Sequence, residues 1–203
     1  MSDEEQKNAE HKAAMQALKA ERDAMMAEKV DVPGLLLVHT GDGKGKSTAA
    51  FGMVARALGW NQKVGIVQYI KGKWITGERQ FFQRFPESVR YEVMGQGFTW
   101  DTQDRAADIA AAEAAWKTSV EMLHDPGLDL VLLDELNIAL RYDYLDIDRV
   151  VADLKTRPRD KHVVVTGRNA KPQLIEIADL VTEMTLVKHP FEAGIKAQRG
   201  IDF

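Results

Sequence analysis

The most informative segment of the sequence reads Thr40-Gly41-Asp42-Gly43-Lys44-Gly45-Lys46-Ser47-Thr48. Its three glycines let the backbone turn with its amide groups facing inward, which makes a cradle for phosphate oxygens. We expect Lys46 to reach the outer phosphates of a nucleotide and the Ser47 hydroxyl to bind a bridging magnesium ion. The segment departs from the usual GxxxxGK[ST] pattern at its first position, where Thr40 replaces glycine. It therefore predicts phosphate binding and leaves the nucleotide and the reaction open.

Apolar runs of strand length alternate with helical stretches after this loop. Runs such as Val131-Leu132-Leu133 and Val163-Val164-Val165 indicate strands buried on both faces, which is typical of a parallel sheet. The alternation predicts an α/β fold, with a doubly wound, mostly parallel sheet of about six strands like that of P-loop NTPases of the RecA-like type. Strands are predicted at residues 35–40, 63–70, 89–94, 128–134, 162–166 and 180–187. Helices are predicted at residues 46–58, 104–124, 147–155 and 172–178.

The first 32 residues differ from the rest of the chain. Residues 2–29 lack glycine and proline and are rich in good helix formers. Val32-Pro33-Gly34 ends this segment, because proline lacks the amide proton that a continuing helix needs. The pattern predicts an N-terminal helical arm at residues 1–32 and a nucleotide-binding domain at residues 33–203. The arm is either a solvated, fraying tail or a mobile lid over a site or a neighbouring subunit.

Composition excludes several classes of protein. The chain has 203 residues, a net charge of −4 and no cysteine, so a core forms without disulfides and the main partner is not nucleic acid. The acidic N-terminus lacks the basic and apolar regions of a secretory signal, and no apolar run approaches the length of about 20 residues that spans a bilayer. These features predict a cytoplasmic protein that is not a membrane protein.

An acidic pair follows one of the most apolar strands. Asp134 and Glu135 come directly after residues 128–133, as in a Walker B strand. Carboxylates at the carboxyl end of such a strand face the phosphate loop, where a hard cation is bound by oxygen ligands. The alternative is an acidic pair that faces solvent. We favour a metal site formed by Ser47, Asp134 and Glu135.

Six sequence blocks occur in the order and spacing of one family. The blocks are Gly41-Asp42-Gly43-Lys44-Gly45-Lys46-Ser47, Tyr69-Ile70-Lys71-Gly72-Lys73-Trp74 with Gly77-Glu78, Gly97-Phe98-Thr99-Trp100, Leu133-Asp134-Glu135-Leu136, Thr166-Gly167-Arg168 and Lys196-Ala197-Gln198-Arg199-Gly200-Ile201-Asp202-Phe203. Through these blocks the chain resembles the ATP:corrinoid adenosyltransferases of the CobA type, and the resemblance covers nearly everything from Gly34 to Phe203.

The resemblance implies a reaction. The family transfers the 5′-deoxyadenosyl group of ATP to the Co(I) of a reduced corrinoid and releases triphosphate, in adenosylcobalamin biosynthesis or corrinoid salvage. Co(I) is itself a strong nucleophile, so no Ser-His or Cys-His pair is needed. The family binds ATP in the reverse of the usual P-loop orientation, which exposes the 5′ carbon to the corrinoid.

The resemblance also implies roles for individual residues. Lys46, Phe98 and Trp100 are implied to be catalytic, and the two aromatics form an apolar wall that displaces the lower axial ligand of the corrinoid. Without the resemblance, the favoured explanation is that these aromatics are anchors that pack a loop on the core. The implied ATP-binding residues are Gly41, Asp42, Gly43, Lys44, Gly45, Lys46, Ser47, Thr48, Arg56 and Arg168.

Open alternatives accompany these assignments. Arg168 is explained either by a bidentate triphosphate contact or by a surface salt bridge. Lys71, Lys73 and Trp74 either touch the rim of the corrinoid or form a solvated loop. The resemblance implies Mg²⁺ or Mn²⁺, a homodimer, an electron-donating reductase, and cobalamin, cobinamide or cobyrinic acid diamide as acceptor.

Two other functions fit the same phosphate loop. An ordinary P-loop ATPase or kinase would use Asp134 for its metal and Glu135 to activate a water or an acceptor hydroxyl. An ATP-dependent interaction module would engage a partner through the N-terminal helix. We expect the adenosyltransferase.

Overall fold

A computed structural model describes residues 2–70, 76–93 and 104–203 of the chain. The chain divides into two compact units, Met1–Val32 and Pro33–Phe203. The first unit contains helix α1 (Asp3–Ala27), none of whose side chains is buried. Ser2 caps this helix: its hydroxyl accepts the backbone N–H of Glu5, and the Glu5 carboxylate accepts the backbone N–H of Ser2. This reciprocal pair satisfies two backbone donors that a helix start leaves without partners.

The second unit is built on one parallel sheet. In the described part of the chain the sheet has six strands in the order β3-β2-β4-β5-β1-β6, and every neighbouring pair is parallel. The predicted α/β fold with a parallel sheet of about six strands is confirmed. The strands are β1 (Leu36–Thr40), β2 (Val64–Gln68), β3 (Val89–Val93), β4 (Leu130–Asp134), β5 (His162–Thr166) and β6 (Leu180–Glu183).

Helices cover both faces of this sheet. Side chains alternate between faces along each strand, so Val131 and Leu133 pack in one apolar cluster while Leu130 and Leu132 pack in another. This is why the central strands contain runs of consecutive apolar residues. The helices are α2 (Lys46–Gly59), α3 (Gly77–Phe82), α4 (Arg105–Leu123), α5 (Leu136–Arg141), α6 (Ile147–Thr156) and α7 (Pro172–Ile177), with a 3₁₀ turn at Pro190–Ala193.

The last strand is shorter than the sequence predicts. The apolar pattern extends to residue 187, but β6 ends at Glu183. Glu183 pairs with Thr40, the last residue of β1, so the strand ends with its neighbour. The carbonyl of the next residue, Met184, accepts the backbone N–H of Gly43 in the phosphate loop at 2.6 Å. Sequence reasoning also missed α3 and α5, which have six residues each and too little length for a periodic pattern. The helix α7 is as short, but it begins at Pro172, a residue that favours the first turn of a helix.

The strand order places the functional segments at one edge. The phosphate loop follows β1, the acidic pair ends β4, and β5 lies between these two strands. The carboxyl ends of parallel strands meet at the same edge of the sheet, where α/β proteins bind their ligands. Among the described residues, no helix has the length and apolar character required to cross a membrane.

Candidate active site

The phosphate loop joins the buried strand β1 to the start of α2. Gly41 and Gly45 have φ angles of +92° and +107°, a backbone region that residues with a Cβ seldom adopt. Gly45 is the N-cap of α2, so the turn aims the first amides of the helix into the loop. The N-terminal end of a helix favours anions, and this geometry therefore suits phosphate.

Lys46 is the first residue of α2 and is only 6% exposed. Its ammonium group donates to the carbonyl oxygen of Gly43 at 2.5 Å. Burial lowers the pKa of Lys46, and the nearby positive charge of Arg168 lowers it further. A buried cation at the start of a helix suits the binding of an anion.

Arg168 follows β5 and reaches back to the loop. Its Nη2 donates to the carbonyl oxygen of Asp42 at 3.4 Å, and its Nε lies 3.8 Å from the Asp42 carboxylate. Arg168 also lines the cleft in front of the loop. Arg168 thus forms a salt bridge with Asp42, and it also lies at the cleft, as a contact with triphosphate would require.

The C-terminal segment lies against the same loop. The Asp202 carboxylate forms an ion pair with Lys44 and accepts the backbone N–H of Gln198. The hydrogen bond from Lys44, followed by that from the Gln198 amide, lowers the pKa of Asp202. Phe203 and Ile201 line the cleft beside Asp202.

The acidic pair stands at the end of β4. Asp134 is 2% exposed, and its carboxylate accepts hydrogen bonds from Gln68 and Thr166, both at 2.8 Å. Glu135 adopts the left-handed φ of +63° and is the N-cap of α5. Both acids line the cleft at the ligand-binding edge of the sheet.

These groups surround a cleft of about 630 Å³. It contains the basic residues of the loop on one side and the acidic pair on another. Twenty of the described residues line it: Gly43, Lys44, Gly45, Lys46, Ser47, Thr48, Phe51, Ile70, Thr76, Glu78, Asp134, Glu135, Ile138, Arg141, Tyr142, Arg168, Ala197, Ile201, Asp202 and Phe203.

Not every candidate residue reaches this cleft. Arg56 lies in the last turn of α2, about 15 Å along the helix axis from Lys46 at 1.5 Å per residue, and does not line it. Gly41 and Asp42 shape the loop without lining the cleft. Phe98 and Trp100 lie outside the described residues, as do Lys71, Lys73 and Trp74.

Sequence reasoning missed several residues of the site. Arg141 lines the cleft from α5, a helix that was not predicted. Gln68 and Thr166 bond to Asp134 across neighbouring strands, a relationship that depends on strand order. The Asp202 block was noticed as a sequence motif, but its ion pair with Lys44 depends on the path of the C-terminal segment.

The donor set in the cleft is compatible with a hard cation. A hydroxyl and two carboxylates, from Ser47, Asp134 and Glu135, supply the oxygen ligands that magnesium prefers. No group of three or more His, Cys, Asp or Glu side chains arranged to hold a metal occurs in the described ranges. These residues therefore suit an ion that shares its coordination with phosphate oxygens and water.

Comparison with known proteins identifies the family. Residues 32–203 match the family model described as ATP:corrinoid adenosyltransferase BtuR/CobO/CobP. The chain belongs to the ATP:corrinoid adenosyltransferase family. A protein named corrinoid adenosyltransferase from Pseudomonas aeruginosa is 60% identical over 203 residues, which cover 100% of both chains.

Two further relatives of the chain are also named as corrinoid adenosyltransferases. The corrinoid adenosyltransferase of Escherichia coli K12 is 47% identical, and CobA of Salmonella typhimurium is 46% identical; each alignment covers 100% of both chains. Among solved structures, the flagellar accessory protein FlaH of Methanocaldococcus jannaschii matches with a TM-score of 0.46 at 10% identity, over 80% of this chain and 76% of that chain.

Membership in the adenosyltransferase family confirms the main functional prediction. The chain is an enzyme that adenosylates corrinoids. This function is favoured over the two alternative hypotheses, an ordinary P-loop ATPase or kinase and an ATP-dependent interaction module. ATP and a corrinoid are its substrates, as the family description implies.

Proposed function

We propose that the cleft binds ATP with its triphosphate against residues 41–48 and presents the 5′ carbon to the Co(I) of a reduced corrinoid. The observation that carries this proposal is the arrangement of charges. Lys44, Lys46 and Arg168 border the same cleft as Asp134 and Glu135. The basic side chains suit the triphosphate of ATP, and the two acids suit a divalent cation bound with it.

The proposed reaction is a nucleophilic displacement at carbon. The electron pair of Co(I) attacks C5′ of the ribose, the C5′–O bond breaks, and its electrons leave with the triphosphate. The product has a Co(III)–carbon bond. Lys46 and the loop amides stabilise the negative charge that develops on the departing triphosphate. No protein nucleophile takes part, in keeping with a chain that has no cysteine.

Ser47, Asp134 and Glu135 are the residues that would hold a divalent cation, Mg²⁺ or Mn²⁺. When bound, this ion would neutralise part of the triphosphate charge. Asp134 is well suited to this task, because each of its carboxylate oxygens accepts one hydrogen bond and retains a second lone pair.

Phe98 and Trp100 are proposed to form the corrinoid side of the site, as the family resemblance implies. A cobalt without an axial ligand accepts an electron more easily, because no axial lone pair raises the energy of its acceptor orbital. The same resemblance implies that ATP lies reversed on the loop.

An anaerobic incubation with ATP and chemically reduced cobalamin or cobinamide tests this function. We expect the cobalt spectrum to change to that of an alkylated corrinoid, with one triphosphate released for each carbon–cobalt bond formed. Orthophosphate without an alkylated product would refute the proposal. Comparison of kcat/KM for cobalamin, cobinamide and cobyrinic acid diamide identifies the preferred acceptor.

Three further expectations concern partners and location. We propose a homodimer, a reductase that supplies the electron for Co(I), and a cytoplasmic location. Two alternatives stand for residues 1–28, a passive tail or a lid. Sedimentation measures the oligomeric state. Deletion of residues 1–28 distinguishes the two alternatives: a raised KM for either substrate would indicate a lid, and unchanged constants would identify a passive tail.

A further inference from the structure

A single buried hydroxyl contacts both members of the acidic pair. The Thr166 Oγ1 donates a hydrogen bond to Asp134 Oδ1 at 2.8 Å and accepts one from the backbone N–H of Glu135 at 2.9 Å. Thr166 is fully buried at the end of β5, the strand between β4 and the strand that leads into the phosphate loop. A hydroxyl has one donor and two acceptor positions, and this one works in both directions.

The other oxygen of Asp134 is held from the opposite side. Gln68 Nε2 donates to Asp134 Oδ2 at 2.8 Å, and the register pairs these two residues on neighbouring strands. Gln68 is fully buried, and its Oε1 finds no hydrogen-bond partner among the described residues. The reverse orientation of the amide would bring two acceptors together, so the side chain keeps its donor on the carboxylate at the cost of an unsatisfied oxygen. The direction of the Asp134 carboxylate is therefore strongly constrained.

The bond to Glu135 supports an uncommon backbone conformation. Glu135 has a φ of +63°, a left-handed conformation that residues with a Cβ seldom adopt. Its N–H is satisfied by Thr166. Glu135 lines the cleft, and its Oε2 lies beside Gly167, only 3.1 Å from where a Cβ of that residue would stand.

We propose that Thr166 is a positioning residue, whose hydroxyl sets the direction of the Asp134 carboxylate and the backbone of Glu135 towards a cation bound with the triphosphate. This inference rests on the metal site proposed above. Thr166 itself does not line the cleft and acts through the two acids. Gln68 completes the arrangement from β2.

Two substitutions separate the hydroxyl from the rest of the side chain. Thr166→Val keeps the branched shape that favours a strand and removes the hydroxyl, whereas Thr166→Ser keeps the hydroxyl. The direct measurement is the dissociation constant of Mn²⁺ from the protein–ATP complex, obtained from the electron paramagnetic resonance signal of free Mn²⁺. Loss of a residue that orients metal ligands weakens metal binding about 10- to 100-fold, which we expect for Thr166→Val. Thr166→Ser should restore most of the affinity.

A split between kinetic constants provides a second readout. At saturating Mn²⁺, Thr166→Val should recover most of its kcat, because the cation itself is still able to bind. The matched control is Ser119→Ala, which removes another fully buried hydroxyl, one that bonds to Tyr69 and to the Ala115 carbonyl. This control should lose thermal stability without a change in the Mn²⁺ dissociation constant. If Thr166→Val does not fold, Gln68→Met removes the other donor to Asp134 and should weaken Mn²⁺ in the same direction.

The outcomes distinguish the positioning role from the metal site. Mn²⁺ affinity of Thr166→Val equal to that of the wild type would overturn the positioning role alone. Equal losses in Thr166→Val and Thr166→Ser would do the same, since they would assign the effect to packing of the methyl group. If Asp134→Asn bound Mn²⁺ as tightly as the wild type does, the metal site would be refuted, and the positioning role with it.

Discussion

The ammonium nitrogen of Lys46 lies 2.5 Å from the carbonyl oxygen of Gly43, three residues back along the same loop. The lysine is therefore turned onto its own backbone, beside the positive charge of Arg168. To bind a phosphate, the ammonium group has to exchange or share this carbonyl. The buried positive charge of Lys46 therefore contributes to ligand binding, and it costs stability when no ligand is bound.

Replacement of Lys46 by methionine should weaken ATP binding. A hydrogen bond to a charged group is worth about 1.5–3 kcal/mol, so we expect the ATP dissociation constant to rise about 10- to 150-fold. Isothermal titration with Mg-ATP in the absence of corrinoid measures this change. An unchanged dissociation constant would show that Lys46 does not bind the triphosphate.

The same variant should be more stable than the wild type without ligand, by an amount that depends on pH. The folded state lowers the pKa of Lys46 below its ordinary 10.5, so the unfolded chain holds this proton more tightly. The charge therefore disfavours folding at neutral pH, and this penalty disappears as the pH rises through the folded pKa towards 10.5. Unfolding in urea at several pH values should show the advantage of Lys46→Met shrinking as the pH rises. A constant difference would contradict the assignment.

Removal of the Asp202 charge should tighten the binding of inorganic triphosphate severalfold. Asp202 pairs with Lys44 at the phosphate loop, where its carboxylate competes with an incoming anion. The control is Asp160→Asn, which removes an equal charge from the loop before β5, at the opposite end of that strand from the cleft. Titration calorimetry at low and high salt distinguishes the variants, because screening reduces the difference. Weaker binding to Asp202→Asn would indicate that the C-terminal turn supports the ligand instead.

Arg168 and Arg56 should behave differently when each is replaced by glutamine. Arg168 lines the cleft, whereas Arg56 lies at the far end of α2. We expect Arg168→Gln to raise the KM for ATP about tenfold or more, as for the loss of a charge-assisted hydrogen bond, and Arg56→Gln to leave it unchanged. Steady-state kinetics with chemically reduced corrinoid provides both values. Similar effects of the two changes would contradict the observed placement of Arg56.

Phe98→Ala and Trp100→Ala should impair adenosylation that starts from Co(II) much more than ATP binding. The apolar wall they are proposed to form eases the reduction to Co(I), a step that chemically prepared Co(I) bypasses. Turnover with an enzymatic reductant and ATP titration supply the comparison. Wild-type turnover from Co(II) in both variants would refute this role.

Much of the architecture could be predicted because local signals agree with it. Three local signals mark where elements start or end: the phosphate loop before α2, the apolar run that ends β4 at Asp134, and the glycine after Thr166 at the end of β5. The strand order could not be predicted, and the contacts of Gln68 and Thr166 with Asp134 depend on it. Arg141 was missed for another reason, since its six-residue helix shows no periodicity.

The end of β6 illustrates where local patterns fail. Apolar residues continue past Glu183, yet the strand stops there, because its neighbour β1 ends at Thr40, the residue that pairs with Glu183. Tertiary pairing overrides the preference of the segment. Beyond the strand, the Met184 carbonyl accepts the backbone N–H of Gly43 in the phosphate loop.

The position of β1 in the sheet also determines when the site can form during synthesis. β1 carries the phosphate loop near the start of the chain, but its neighbours on both sides are β5 and β6, which begin at His162 and Leu180. A ribosome releases the loop long before it makes either neighbour, so the nascent loop has no sheet to support it. Contacts this distant in sequence form slowly. Competence to bind nucleotide is therefore acquired late, after nearly the whole chain has emerged.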